Sequence, residues 1–487
     1  MNEIRKITEL LRKMIAADQL KEVMSVLQQL LEGSPLLNDV VILSGQYEGL
    51  EKNTRLGTIL RENARVEKNT IMNALTGLVN ELEENYQLYP VIQENGKNYL
   101  QTPESRVLGY TFNEHLTREL ITAIKPYAPA AQRFLDKVAL ISDWESKPQI
   151  NDKAKEIIAY SFVGVIGVQL GKLMAIGKED FTADKPKTYV EKCLHIARQS
   201  FDLILFSMFS RLWDEMKKRP LTLPEETRKL IRKRLDHLKG PELDEQFALL
   251  INLYPVLLDI NSELHLPEIE AMEVHLNEGT ELHQAVKNLQ KLSQRLEQEP
   301  LELADCAEAE TQLTVLLSHF SFLVSYRMAS IKNISYRQAR HNEPAYIHHF
   351  AALGIDSKAN KDAEKSIYTQ DTAHTDAVLL YKGDHYQDCI VLSPFVIDYN
   401  ALTFEGGSRI CFYQLQPMEE ELLEYLFLED NSIVNLEFKG IQKADTNLGD
   451  LVMNKETYRM FNLDCVVSQF QEARRCLLGD ALNFDDL

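Results

Sequence analysis

Three places in this 487-residue chain hold residues whose types and spacing could do chemistry. The stretch Gly164-Val165-Ile166-Gly167-Val168-Gln169-Leu170-Gly171-Lys172 ends in Gly-Lys, as a phosphate-binding loop does. Such a loop cradles phosphates on backbone amides, reaches them with its lysine, and holds magnesium with the Ser or Thr that follows. It also needs a glycine where this chain has Ile166; Leu173 follows the lysine, and no strand precedes. These glycines therefore read as helix-packing positions, and no nucleotide cofactor is expected. A second group, His341, His348, His349, His374 and His385 with Asp388 and Cys389, could suggest a metal or a thiol nucleophile with its base. Zinc wants close ligand pairs, and only His385 and Cys389 approximate one. Cys389 lies within Asp388-Cys389-Ile390-Val391-Leu392, which reads as a buried strand, where thiols are inert. Neither metal nor cofactor is expected. The third group is basic: Lys217, Lys218, Arg219, Arg228, Lys229, Arg232, Lys233 and Arg234. No aromatic residues interleave to stack bases, so the cluster reads as a solvated face or as a dock for an acidic protein surface.

The glycines sit in an unusual stretch. From Ile157 to Gly171 no residue is charged, and Lys172 is the only charge before Lys178. A helix apolar all round is normally the centre of a bundle, and a membrane span needs about 20 apolar residues. Ile157, Val165, Ile166 and Leu170 mark this segment. The core reading places them under neighbouring helices, Phe201–Trp213 among them. The other reading is a segment masked at rest that enters a membrane on activation.

Composition bounds the rest. Apolar residues make up 45% and charged residues 26%, a globular mix, and the net charge is −20. So acidic a chain does not coat nucleic acid or anionic membrane by bulk charge, and no nucleic-acid partner is expected. The N-terminus opens into a charged amphipathic pattern without the apolar run of a signal peptide. The six cysteines never form a Cys-x-x-Cys, so reduced thiols and a cytoplasmic location are expected. The acid is uneven: residues 361–487 hold 10 Lys+Arg against 23 Asp+Glu, residues 1–90 only 10 against 13.

Apolar periodicity predicts four helices in the first 85 residues, starting near Ile4, after Asp18, after Asn38-Asp39 and near Ile59, with stops at Gly33-Ser34-Pro35 and Gly57. Residues 86–108 read as a linker or short hairpin. Helical patterns return from Phe112 to about Arg327. Short apolar runs follow (Tyr346–Phe350, Val378–Tyr381, Ile390–Leu392, Ile410–Tyr413, Val434–Phe438), separated by turn residues, with helices expected near Glu420–Phe427 and Val466–Leu478. The expected fold is multidomain and mainly α: an N-terminal four-helix bundle (1–88), a central all-α bundle (109–326) and an acidic mixed α/β domain (327–487).

Within 1–85, the segment LSGQYEGLEKNTRLGTILRENARVEKNTIMNALTGLVNEL carries Leu43, Ser44, Tyr47, Leu50, Leu56, Gly57, Ile59, Glu62, Ile71, Leu75, Leu78 and Leu82. These positions resemble the all-helical effector-associated domains of bacterial conflict systems. The resemblance implies a small death-domain-like adaptor that couples a sensor or switch protein to an effector by like-with-like pairing. Gln46, Tyr47, Leu50, Leu56, Gly57 and Glu62 would be its contact positions. The implied partner is a protein with a matching domain (a protease, a nucleotide-switch ATPase or another effector), or a second copy of this chain. The expected role is that of a non-enzymatic adaptor or sensor in bacterial immunity and antiphage defence. The alternative is an effector, acting through the apolar helix at a membrane or through an unfamiliar catalytic site in 327–487.

Overall fold

The computed structural model describes the chain from Asn2 to Gly479 except for 17–18, 57–58, 60, 86–89, 102–109, 142–143, 145–146, 180–181, 183, 237–241, 261–265, 342, 355–363, 370–374, 384, 416–421 and 439–454. It divides into two compact units, Met1–Thr111 and Phe112–Leu487. Helices dominate the first unit and the start of the second, and two antiparallel sheets follow between residues 326 and 437.

The first unit holds α1 (Asn2–Ala16), α2 (Leu20–Leu30), α3 (Leu37–Leu56), α4 (Arg61–Asn85) and α5 (Pro90–Gln101). The apolar positions counted in the sequence close into one core: Ile7, Leu11, Val23, Leu27, Leu30, Val40, Leu75, Val79 and Leu82 are almost wholly covered. Arg12 ties α1 to α4 through Glu83 at 2.5 Å and Asn80 at 2.8 Å. Helix α5 replaces the expected linker or hairpin. Its Ile92 joins the core, and the Asn95 amide donates to Leu30 O and Glu32 O, satisfying carbonyls left open at the end of α2. Two anchoring residues sufficed where no long apolar stripe announced a helix.

The helical part of the second unit comprises α6 (Glu114–Ala123), α7 (Pro129–Val138), α8 (Pro148–Ser161), α9 (Gly164–Lys178), α10 (Lys185–Lys218), α11 (Glu225–Leu235), α12 (Leu243–Asp259), α13 (Glu268–Ala271), α14 (Glu281–Leu296) and α15 (Leu303–His319). Helix α10 is the axis. At 34 residues it spans about 50 Å, and it is buried on every side from Gln199 to Leu212. The start of α6 is capped from a distance. The Glu310 carboxylate on α15 accepts Asn113 N at 3.0 Å, Leu116 N at 3.1 Å and the Tyr189 hydroxyl at 2.8 Å. Asn113 adopts the left-handed backbone that asparagine tolerates best.

Strand β1 (Tyr326–Arg337) opens the sheets. With β2 (Ala345–Leu353), β3 (Glu364–Thr369), β4 (Val378–Lys382) and β5 (His385–Val391) it forms a five-stranded sheet ordered β3-β2-β1-β4-β5. β1 faces β2 with Met328 opposite Leu353, and β4 with Met328 opposite Leu380. β6 (Val396–Asp398), β7 (Ile410–Leu415), β8 (Leu422–Phe427) and β9 (Ile433–Glu437) form the second sheet in that order. The short α16 (Tyr399–Leu402) joins β6 to β7, and α17 (Lys455–Leu478) closes the described chain. The helix expected at Glu420–Phe427 is strand β8. There Leu423, Tyr425 and Phe427 are buried while Leu422, Glu424 and Leu426 are half-buried, a period of two that a short apolar run conceals. The sheets and α10 share one interior: Phe206 stacks on Phe395 at 5.5 Å, and Phe470 of α17 lies 4.4 Å from Tyr413.

Candidate functional site

Helix α3 turns Val40, Tyr47 and Leu50 inward, and this sets what its other face can offer. Val41 and Ile42 are 52% and 57% exposed, two large β-branched side chains left in water side by side. Ile42, Gly45, Gln46 and Gly49 follow at helical spacing on the same side. A Cβ at Gly45 or Gly49 would meet no atom within 4 Å, so the face is open and low enough for another backbone to approach. On the other side of α3, Lys21 of α2 pairs with Glu51 at 2.6 Å, and that bond holds the Glu51 carboxyl below its usual range.

Of the six predicted contact positions, Gln46 and Glu62 are exposed, Glu62 in the first turn of α4 where an acid suits the helix dipole. Tyr47 and Leu50 are core residues, 8% and 6% exposed. Gly57 and the Leu56 side chain lie outside the described residues. Val41 and Ile42 were missed. Their signal was present: in Val40-Val41-Ile42 a helix can bury only some of three consecutive apolar residues.

In the second unit the apolar stretch is divided. Ile157 to Ile176 is not one helix: α8 ends at Ser161, Phe162 and Val163 are extended or irregular, and α9 begins at Gly164. Val165, Ile166 and Leu170 are buried, whereas Ile157 is half-buried. The glycines allow close packing: a Cβ at Gly164 would collide with the Leu353 carbonyl at the end of β2, and one at Gly167 with the Ala159 carbonyl. Lys172 donates to the carbonyls of Leu428 (3.2 Å) and Glu429, and Gln169 donates to Leu428 O at 2.6 Å, which pins α9 to the β8–β9 turn. Among the described residues no helix is long and apolar enough to cross a membrane.

The basic cluster divides. Lys229 pairs with Glu226 at 2.9 Å on the surface. Lys217 and Arg234 meet the C-terminal region, as does the neighbouring Asp236. Lys217 bonds Glu472 of α17, and Asp236 accepts two bonds from Arg474 at 2.7 and 2.9 Å. Arg234, buried, donates to Asp202 at 2.8 Å, to Gln414 O at 3.0 Å and to Tyr413 O at 3.2 Å, over the Phe206 ring. Sequence reasoning missed Asp202 and its partner Gln246, both on helix faces that read as ordinary amphipathic pattern.

His348 is buried on β2, and burial with the neighbouring His349 lowers its pKa. The His349 Nε2 lies 3.1 Å from Ser335 Oγ. His374 and the side chain of His385 lie outside the described residues, and Cys389 is partly buried against the apolar cluster that contains Ala329, Phe350 and Tyr381. No group of three His, Cys, Asp or Glu side chains able to hold a metal occurs among the described residues. Burial pushes the thiols of Cys193 and Cys411 well up and that of Cys306 to about 12, so these stay protonated. One acidic pair was not anticipated. Buried Asp398 accepts Arg409 N at 2.9 Å and bonds Lys332, which also donates to Gly407 O at 2.9 Å. Asp376 is pushed up to about 6 by burial, with Lys332 opposing and Asp398 reinforcing the shift. Asp398 spends its acceptor capacity on backbone and lysine, so this group pins β1 to the β6–α16 corner.

Residues 6–83 match the family model of effector-associated domain 11, which runs from within α1 to near the end of α4. No curated protein and no solved structure matches the chain.

Proposed function

We propose that this chain is an adaptor or sensor component of a bacterial conflict system of the antiphage kind. Residues 1–88 recruit, or are recruited by, a protein carrying a matching effector-associated domain: a protease, a nucleotide-switch ATPase, another effector or a second copy of this chain. Residues 109–326 and 327–487 then receive the signal. The observation that carries the reading is the family match over a unit with its own apolar core. The open face of α3 supports it, because surface Val41 and Ile42 bury apolar area only when a partner covers them.

The test is sedimentation and titration calorimetry of the full chain, alone and with proteins of the same genome that carry an effector-associated domain. Ile42→Glu should leave melting within about 0.5 kcal/mol of the parent, as surface changes do. It should also abolish the pairing. A chain that stays monomeric and ignores every such protein sinks the adaptor role; pairing untouched by Ile42→Glu moves it off α3.

A further inference from the structure

A cleft of about 350 Å³ opens on the second unit between the start of α7, the C-terminal half of α8 and the first residues of β1. That is the small end of the range for organic ligands and far more than a lone ion needs. Its chemistry is divided. Tyr127 and Tyr160, 39% and 47% exposed, line it with Ile157. Among the described residues six large aromatic side chains of the second unit are exposed, and two of them share this cleft. Within the apolar stretch Tyr160 is exposed and Ile157, like Val168, is half-buried.

The polar side is supplied by Arg327, Lys153 and Glu156. Lys153 and Glu156 pair with each other at 2.7 Å and cancel. Arg327 has no carboxylate within ion-pair distance among the described residues. Its Nη1 is held by three carbonyls, Val324 at 2.9 Å, Tyr326 at 3.1 Å and Ser161 at 3.5 Å. The guanidinium is therefore held at Nη1, and among the described residues no carboxylate pairs with it and Nε and Nη2 are left for an outside acceptor. Two parallel N–H donors of a held guanidinium match the two oxygens of a carboxylate or phosphate.

The geometry points to a binding site for a small organic oxyanion, a carboxylate or phosphate carried on a flat ring. The anion sits on Arg327 and the ring lies against Tyr127 and Tyr160. Nothing in this depends on the pairing role of the first unit.

Titration calorimetry on the full chain tests it with phenyl phosphate and benzoate, against inorganic phosphate (anion without ring) and benzyl alcohol (ring without anion). At least one ring-bearing anion should bind saturably, with a dissociation constant on the order of millimolar or tighter, and at least about tenfold better than either control. Which of the two binds separates phosphate esters from carboxylates. Arg327→Gln should weaken it about tenfold or more, the worth of a charge-assisted hydrogen bond. Should Arg327→Gln fail to fold, Tyr127→Ala and Tyr160→Ala, both at exposed positions, carry the test and should each weaken the ring-bearing probe but not inorganic phosphate. No saturable binding by either ring-bearing anion, parity with a control, or binding indifferent to the tyrosine variants overturns the proposal.

Discussion

The two units bury different things. Among the described residues of the first, Thr8 is the one polar side chain that is fully covered; the rest of the interior is Leu, Ile, Val and Met with Tyr47. The second buries Asp202, Arg234, Glu310, Asp398, Gln169 and Gln246. An apolar core is non-directional and leaves a domain free to display its chemistry outside, as α3 does with Val41 and Ile42. A buried charge network demands specific partners, and in the second unit those partners lie on both sides of the helix-to-strand boundary. Arg234 of α11 holds carbonyls of β7, and Gln169 of α9 holds the β8–β9 turn.

The sharpest test of that difference is to strand one charge. Asp202→Ala leaves Arg234 buried without its carboxylate, which costs about 3–5 kcal/mol in such settings. In a denaturant melt followed by near-ultraviolet circular dichroism, the transition of the second unit should drop by that amount. Adding Arg234→Met should recover much of the loss, because the uncompensated charge is then gone. Equal destabilisation by the single and double variants would mean that packing, not charge, joins helices to sheet there.

Val165→Asp asks the same question of the apolar helix. Val165 is 4% exposed, so a carboxylate there should cost about 4 kcal/mol. A melt that does not move would contradict the core position of α9. In the first unit Leu75→Ala should cost about 2–5 kcal/mol through the cavity it leaves. That loss should appear in the transition of the first unit alone; a matching shift in the second would break the contrast between them.

The same contrast explains what was legible in the sequence. Periodicity found α1 to α4 and the long helices of the second unit, because each buries an apolar stripe, and short apolar runs bounded by turn residues found β2, β4, β7 and β9. It failed where burial is carried by a few residues or by polar bonds. Helix α5 rests on Ile92 and Asn95. β8 alternates within a run that also suits a helix. In the first unit the candidate face was half visible: Gln46 and Glu62 lie on the surface, but Tyr47 and Leu50 spend their side chains on the core. Arg234 was counted as one of a basic cluster, and nothing in composition says which of eight cations a fold will bury.

The smallest expected effect concerns Asp376, where a polar group is held half-buried at a cost. Burial raises its carboxyl from the usual 3.8 to about 6. Below about pH 4 it is protonated whether the chain is folded or not, and the cost is absent. As pH rises from there to about 6 the unfolded chain has already ionised while the folded one resists, so stability falls through that window and stays reduced above it. Asp376→Asn removes the titration and suits the site, since residue 376 holds a left-handed backbone that asparagine accepts. At pH 7 the variant should be more stable by about 1 kcal/mol, after discounting for the side chain's partial exposure and for lost attraction to Lys332. At pH 4 the two should be close to equal. Melting curves at both values decide it, and an advantage at pH 4 as large as at pH 7 would show that the gain comes from backbone preference rather than from the buried charge.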